Sequence, residues 1–354
     1  MRMLVPFLAL PLAGAAVAPL LPSPEASASA QPPAVAAADT VAITEWTVPW
    51  ERTRPRDPFV DPKTGQVWFV GQVGNYVARL DPRTGEFKRF ELEERALPHN
   101  VVVAPDGMVW YAGNGNGHIG KLDPATGRVT RYPMPDTTAR DPHTLTFTRN
   151  GDVLWFSVQG GAMIGRLDPR TGRVQLVKAG EPGRGSTRPY GIELDSRGRP
   201  WVNLFGTNKL ATVDPEFMTL QTYDLPDAGA RGRRIAVTPD DQVWYVDYAR
   251  GYLGHFNPET GRTEEFALPG GAQSRPYAMT KDDQGRLWTV ETGVRPNRLV
   301  GFDPKTKKVF SMTPIRSQVN DEGANTVRHM VYHAPTKSIW FGTDANTIGR
   351  AVIQ

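Results

Sequence analysis

The sequence predicts an all-β chain folded as a seven-bladed β-propeller with four-stranded blades and an N-terminal strand closing the last blade. Three observations carry this expectation. Trp recurs at 68, 110, 155, 201, 244, 288 and 340, at spacings of 42, 45, 46, 43, 44 and 52 residues, and a period in the forties with short strands is that of propeller blades. Each Trp lies in a short apolar run that leads through a polar loop to a second apolar run. That second run ends in an Asp-Pro-x-Thr-Gly turn at 81–85, 123–127 and 168–172, with variants at 257–261 and 303–307. In this turn Asp accepts from backbone N–H groups ahead of it, Pro sets φ, and Gly takes a positive φ before the chain returns.

The second repeat shows the elements in order. Strand A is read at Asn100 to Ala104 and strand B at Val109 to Ala112; strand C is read at Ile119 to Leu122 and strand D at Val129 to Tyr132. Seven Trp-centred units give seven blades, but the chain stops at Gln354, too soon after Trp340 for a last strand D. Ile43-Thr44-Glu45-Trp46-Thr47-Val48-Pro49 has the pattern of the outer strands Val129 to Met134 and Thr263 to Leu268. It is expected to complete the seventh blade and remove the free edges of the ring. The repeat Trps are read as packing between blades.

Composition narrows the function. The 354 residues include 35 Gly and 32 Pro, which suits many tight turns, and net charge is +4 with both signs dispersed. No nucleic-acid partner is expected from that pattern. Cysteine is absent, which excludes disulfides, thiolate metal sites and a cysteine nucleophile. Arg2, the apolar stretch Met3 to Ala18 broken by Pro6 and Pro11, and the small-x-small triplet Ala28-Ser29-Ala30 read as a cleaved export signal over residues 1–30. Residues 31–42 then form a flexible leader and 43–354 the propeller. The expected product is a periplasmic or secreted monomer with no membrane span after signal cleavage.

The repeat also locates candidate site residues. Eleven positions before each Trp stand Asp57, His99, Tyr190, Arg233, Tyr277 and His329, with His143 one residue further back in the third repeat. Three of the six His in the chain fall on these seven positions, so this ring is read as converging groups in a shared channel. His118, His255 and His333 are read as structural. Three positions after the Trps, Asp247 and Glu291 add acidic groups. Arg184, Arg188, Arg231, Arg233, Arg234, Arg275, Arg295 and Arg298 are expected in loops opening on the same face, where Arg forks favour carboxylate or phosphate partners. Extra residues at Arg316 to Asn325, with Asp321 and Glu322, are expected beside the channel mouth. Gly113 to Gly117 is a turn between strands and not a phosphate loop, and no Gly-x-Ser-x-Gly, His-Glu-x-x-His or P-loop motif occurs.

Met163-Ile164-Gly165-Arg166-Leu167-Asp168, Pro98-His99, Pro142-His143 and Ile348-Gly349-Arg350 carry a resemblance to the streptogramin B lyase (virginiamycin B lyase) family over about residues 43–354. The resemblance implies a carbon–oxygen lyase that opens a cyclic ester by elimination with Mg²⁺ and a His base. His329 matches the family's last-blade His. Tyr277 stands where a second His is expected, Asp57 where a Tyr is, and Val327 and Thr343 where two Glu are. The expected assignment is His329, Tyr277 and Arg233 as catalytic groups, with His99, His143, Tyr190, Arg188 and Arg234 binding substrate. Asp57, Glu291 and Asp247 are the expected ligands of Mg²⁺ or another divalent cation. The expected substrate is a small-molecule ester or lactone. A lactone hydrolase, or a non-catalytic propeller binding an anionic ligand or protein, are the alternatives.

Overall fold

Twenty-eight strands form seven antiparallel four-stranded sheets in a computed structural model that describes residues 41–316 and 326–353. Six sheets are built from consecutive strands, in the order A-B-C-D. The seventh takes Val327–His333, Ser338–Thr343 and Thr347–Val352 from the C-terminus, and its outer strand is Ala42–Thr47 from the other end of the chain. Trp46 pairs with Ile348 in that ladder, and its ring stacks on Trp340 at 5.4 Å. Asn346 locks the junction by donating from Nδ2 to the carbonyls of Val48 (3.0 Å) and Trp50 (2.8 Å). The expected ring closure is therefore present. Strand ends differ from the sequence reading by one or two residues: strand A of the second blade is Pro98–Val103 and its strand D is Val129–Pro133. The proposed signal at 1–30 and the expected loop around Asp321 and Glu322 lie outside the described residues. No helix among the described residues is long and apolar enough to cross a membrane.

Each Trp sits on a strand B and packs into the next blade. Trp68 shares a core with Val101, Val109 and Tyr111, and Trp155 with Ile192 and Val202. Within its own blade the indole meets an aromatic ring on strand D: Phe90 on Trp68 at 5.5 Å, Tyr132 on Trp110 at 5.3 Å, and Tyr223 on Trp201 at 5.7 Å. Flat sheets twisted around an axis leave wedge-shaped gaps that widen outward. A large planar side chain fills such a gap with the most apolar area per residue. The Asp-Pro turns form as expected: Arg83 and Ala125 each donate from the backbone to Asp81 and Asp123 at 2.9 Å, and Gly85 stands at φ +77°. Met218 and Lys307 take the same left-handed position at +54° and +57°, so the turn imposes its geometry even where Gly is missing.

One irregularity recurs in every blade. The pairing of strand A with strand B shifts register between Arg56 and Phe59, Pro98 and Val101, Pro142 and Leu145, Pro189 and Ile192, Gly232 and Ile235, Pro276 and Met279, and Val327 and Met330. A bulge inserts an extra residue, bends the strand and re-aims its side chains. It also frees backbone groups from the ladder, which must find other partners. Neighbouring blades supply several: Ser157 Oγ donates to the Tyr190 carbonyl (2.7 Å), Asn203 Nδ2 to the Arg234 carbonyl (2.9 Å), and Leu145 N–H to Asn100 Oδ1 (3.0 Å).

The seventh blade is the joint of the ring, and Trp46 is its largest apolar contact from the N-terminal side. Trp46→Ala should lower stability by roughly 2–3 kcal/mol, less than the roughly 3–5 for deleting a fully buried large aromatic because this indole is half-buried. A chemical-denaturation midpoint indistinguishable from wild type would show that backbone pairing alone holds the joint.

Candidate functional site

The bulges place Asp57, His99, His143, Tyr190, Arg233, Tyr277 and His329 around the propeller axis, one from each blade. Five of the seven, His99, His143, Tyr190, Arg233 and Tyr277, hold the first bulge position; in the first and seventh blades the stretch from strand A to the Trp is one residue longer, so Arg56 and Arg328 hold the first position and Asp57 and His329 the second. Asp57 is fully buried and is the hub. Its Oδ1 accepts from Arg56 Nε at 3.1 Å; its Oδ2 accepts from Arg234 Nη2 at 3.0 Å and Asn100 Nδ2 at 3.2 Å. Arg234 reaches across the ring, donating also to Thr144 Oγ1 (2.9 Å) and to the Arg328 carbonyl (3.0 Å). Residues of the first, second, third, fifth and seventh blades are thus tied through two side chains. Arg56 Nη1 donates to Gln72 at 2.9 Å.

Aromatic and imidazole rings line the rest. His99 and His143 lie with centroids 3.5 Å apart, and His143 contacts Tyr190 at 4.1 Å. The hydroxyls of Tyr190 and Tyr277 are hydrogen-bonded to each other. The guanidinium of Arg233 sits against four rings, 3.6 Å from the Tyr277 centroid, 4.3 Å from Tyr248, 4.6 Å from Phe205 and 5.1 Å from Tyr190. Cation–π attraction of this kind gains strength where water is excluded.

The ionisation states follow from burial and charge. Burial would raise the Asp57 carboxyl, but the guanidiniums of Arg56 and Arg234 outweigh it and hold the group well below the usual carboxylate range. Burial and then the same two arginines depress His99; burial, His99 and those arginines depress His143. His329 is lowered to about 3 by burial and Arg234, so all three imidazoles are neutral near pH 7. Burial raises Tyr190, yet Arg233, Arg234 and Arg56 bring it below the ordinary phenol value, while burial and Tyr190 push Tyr277 up to about 12. The pair therefore shares its protons unequally. At the rim, burial pushes Asp141 up to about 7 against the opposing pull of Arg188 and Arg56; Asn114 Nδ2 donates to its Oδ1.

The carboxylates expected to share a divalent cation are not brought together. Glu291 is fully buried on strand B of the sixth blade, where it pairs with Arg298 (Nε at 2.8 Å) and accepts from Gly270 N–H (2.6 Å). Asp247 pairs with Arg250 at 2.6 Å and accepts from the backbone of Arg231 at 3.0 Å. Asp57 has both oxygens filled by nitrogen donors. Among the described residues no three His, Asp or Glu converge to hold a metal ion, and this donor set does not fit the expected Mg²⁺ centre. The arginine group also divides. Arg233 and Arg234 stand on strand A rather than in a loop, with Arg234 buried at the hub. Arg298 lies on strand C, whereas Arg184, Arg188, Arg275 and Arg295 are exposed in connections between strands. His118 pairs with Glu93 at 3.0 Å, His255 stacks on Trp244 at 4.4 Å, and His333 bonds Thr336 at 2.8 Å, all away from the ring.

Sequence reasoning missed Arg56, Asn100, Thr144 and Asp141. Asn100, Thr144 and Arg234 share the second bulge position with Asp57 and His329, and Arg56 shares the first with His99, so the signal existed in the repeat once the longer hairpins of the first and seventh blades are allowed for. A two-residue bulge presents two consecutive side chains, where regular alternation would present one.

A seven-bladed propeller with a buried polar hub and neutral imidazoles at its axis defines the class. A family model described as the virginiamycin B lyase family matches residues 35–213, and the chain belongs to that family. Among solved structures, a streptogramin B lyase is 23% identical, with 88% of this chain and 97% of that one covered at a TM-score of 0.76. A virginiamycin B lyase from Staphylococcus aureus is 21% identical, covering 88% and 99% at 0.77. A catalytically inactive His-to-Ala form of that lyase with quinupristin is 22% identical over 88% and 99% at 0.76. These likenesses establish the shared fold. A search of curated proteins finds no match.

The depressed imidazoles make stability depend on pH with a definite sign. Below about 6.5 the unfolded chain binds protons that folded His99, His143 and His329 refuse, so their contribution is complete above that pH and is lost as pH falls toward 3. Asp141 acts oppositely, because its folded form holds a proton up to about 7 that the unfolded form releases near 4. Three groups against one predict net loss of stability from pH 7 to 5. Each group contributes at most about 1.4 kcal/mol per pH unit. Urea midpoints at the two pH values should differ accordingly, with His329→Gln flattening the dependence and Asp141→Asn steepening it. Equal midpoints in the wild type would remove the assignment of neutral buried imidazoles.

Proposed function

We propose that this chain is an exported carbon–oxygen lyase of the family's type, acting on a small ester or lactone at the channel. One observation carries the reading: His329 is neutral and its buried Nδ1 has no hydrogen-bond partner, while Arg234, Asp57 and Arg56 act on it electrostatically. A free imidazole nitrogen is suited to take a proton α to a carbonyl. The electron pair left behind forms the C=C bond as the adjacent C–O bond breaks, and the former ester oxygen leaves as part of a carboxylate. The product is then an isomer of the substrate. The negative charge that develops on the carbonyl oxygen needs preorganised donors, and the buried guanidiniums of Arg233 and Arg56 are given that role in place of the three separated carboxylates and a cation. A base lowered to about 3 is weak. Part of that depression comes from Arg234 and Arg56, so negative charge gathering beside them strengthens the base as the reaction proceeds.

A second reading is ligand binding without turnover. It is favoured by Val327, Tyr277 and Thr343, which stand where the family resemblance places acid–base groups.

Incubation of the protein with quinupristin and a panel of lactones, followed by mass spectrometry, separates the readings. Elimination leaves the mass unchanged and shifts retention, whereas hydrolysis adds one water. His329→Ala should reduce turnover roughly 100-fold or more, Arg233→Met should lower it, and a chelator should leave it intact. Full activity of His329→Ala would sink the elimination mechanism. A product heavier by one water would replace the lyase with a hydrolase, and no product across the panel would favour the binding reading.

A further inference from the structure

The Arg233 guanidinium is enclosed by aromatic rings and has no carboxylate. It holds the first bulge position of the fifth blade, with Tyr190 at that position in the fourth and Tyr277 in the sixth. The groups that act on it are Tyr190, Tyr277 and Tyr248, and among the described residues it makes no ion pair with Asp or Glu. The carboxylate at the axis is Asp57, whose oxygens are taken by Arg56 and Arg234. Arginine does not shed its proton in a protein. An enclosed guanidinium is therefore costly unless a neighbouring group supplies the negative charge.

The hydrogen bonding around Tyr190 singles out that neighbour. The Arg233 side chain bonds the Tyr190 hydroxyl, and the Tyr277 hydroxyl bonds it as well. A guanidinium only donates, whereas a phenol can donate or accept. With Tyr277 donating, the Tyr190 oxygen accepts from both neighbours. Its own proton then has no acceptor among the described residues. That is the arrangement that favours the charged form of an acid.

The wider surroundings have the same sign. The titratable and charged groups facing Tyr190 are Arg56 of the first blade, His143 of the third, Arg233 and Arg234 of the fifth, and Tyr277 of the sixth. The Arg234 guanidinium lies 5.2 Å from the Tyr190 ring. Burial disfavours charge on Tyr190, but Arg233, Arg234 and Arg56 outweigh it and bring the phenol below its ordinary value. Burial and Tyr190 push Tyr277 up to about 12, so the proton that the pair retains sits on Tyr277.

We propose that Tyr190 is the titrating counter-ion of Arg233: on losing its proton to solvent it pairs with the guanidinium as a phenolate, with Tyr277 donating the second hydrogen bond. Tyr190 is then a positioning residue. It fixes the plane of Arg233 and regulates how much of its charge is free, a role that rests on the part given to Arg233 in the lyase reading. While Tyr190 keeps its proton, Arg233 meets a developing oxyanion with its full charge. Once the proton is lost, part of that charge is spent on the phenolate, and elimination slows as pH rises.

Ultraviolet difference titration of the full chain reads phenolates directly and needs no substrate. One of the ten tyrosines should ionise ahead of the rest, below the ordinary phenol value of about 10. Tyr190→Phe should remove that step. Arg233→Met should move it upward by roughly one pH unit or more. If Arg233→Met does not fold, Tyr277→Phe leaves every charge in place and should also move the step upward by removing a donor. The alkaline limb of the pH–rate profile should follow the same step and shift in Tyr190→Phe.

No phenol ionising ahead of the others, or an early step that survives Tyr190→Phe, would overturn the assignment. A step lost in Tyr190→Phe but unmoved by Arg233→Met would overturn Arg233 as its partner. An early step in a chain that turns over no ester would defeat the lyase reading alone. Turnover without an early step would defeat this inference alone.

Discussion

The fully buried carboxylate of Asp57, held between Arg56 and Arg234 and reached by Asn100, is the interaction on which the centre of this molecule depends. Blades of a propeller touch mainly their neighbours, so a ring of apolar wedges resists separation of adjacent blades but does little to fix opposite ones. Arg234 supplies that missing constraint by bonding residues of the first, third and seventh blades from the fifth. A buried ion pair is not automatically stabilising, because two charges must leave water. Here the desolvation is offset by three hydrogen bonds accepted by Asp57 and three donated by Arg234. Removing either one would strand the other in a low-dielectric interior, at a cost of about 3–5 kcal/mol. The pair thus secures the geometry of the channel more than it adds to net stability.

The bulge in every strand A connects this hub to the rest of the fold. Without it, the pleat would send alternate side chains into the apolar layers between blades, where His, Tyr and Arg would be unsatisfied. With it, two consecutive side chains turn toward the axis, and the displaced backbone groups are taken up by Ser157, Asn203 and Asn100. The apolar cores between blades and the polar axis are therefore two consequences of one repeated deviation in pairing. The same deviation collects cations faster than anions. Three guanidiniums meet one carboxylate; burial first, and then these charges, lower the imidazoles, and the guanidiniums bring Tyr190 below the ordinary phenol value.

Most of the fold was legible in the sequence because repetition amplifies weak signals. Any one strand is five or six residues long, but seven Trps at nearly constant spacing, each with its Asp-Pro turn, leave few architectures to consider. Ring closure was legible for the same reason: a count of strands came out one short at one end and one over at the other. His99, His143, Tyr190, Arg233 and Tyr277 were also readable as one position, since repeat register substitutes for knowledge of tertiary contacts, whereas counting back from the Trp placed Asp57 and His329 one position early because their blades carry one more residue before it. The partners were less readable. Asp247 and Glu291 resemble metal ligands as isolated acidic residues at one repeat position, yet Arg250 and Arg298, three and seven residues further along, claim them.

The sequence by itself determined the architecture, the number of blades, the closing strand and the positions that face the axis, because these follow from local periodicity and turn chemistry. Only the tertiary structure decided which charges neutralise one another. Asp57 and Arg234 are 177 residues apart in the chain and 3.0 Å apart at the hub. Whether a carboxylate binds a cation, a guanidinium or water depends on which groups share its low-dielectric surroundings, and linear spacing does not carry that information.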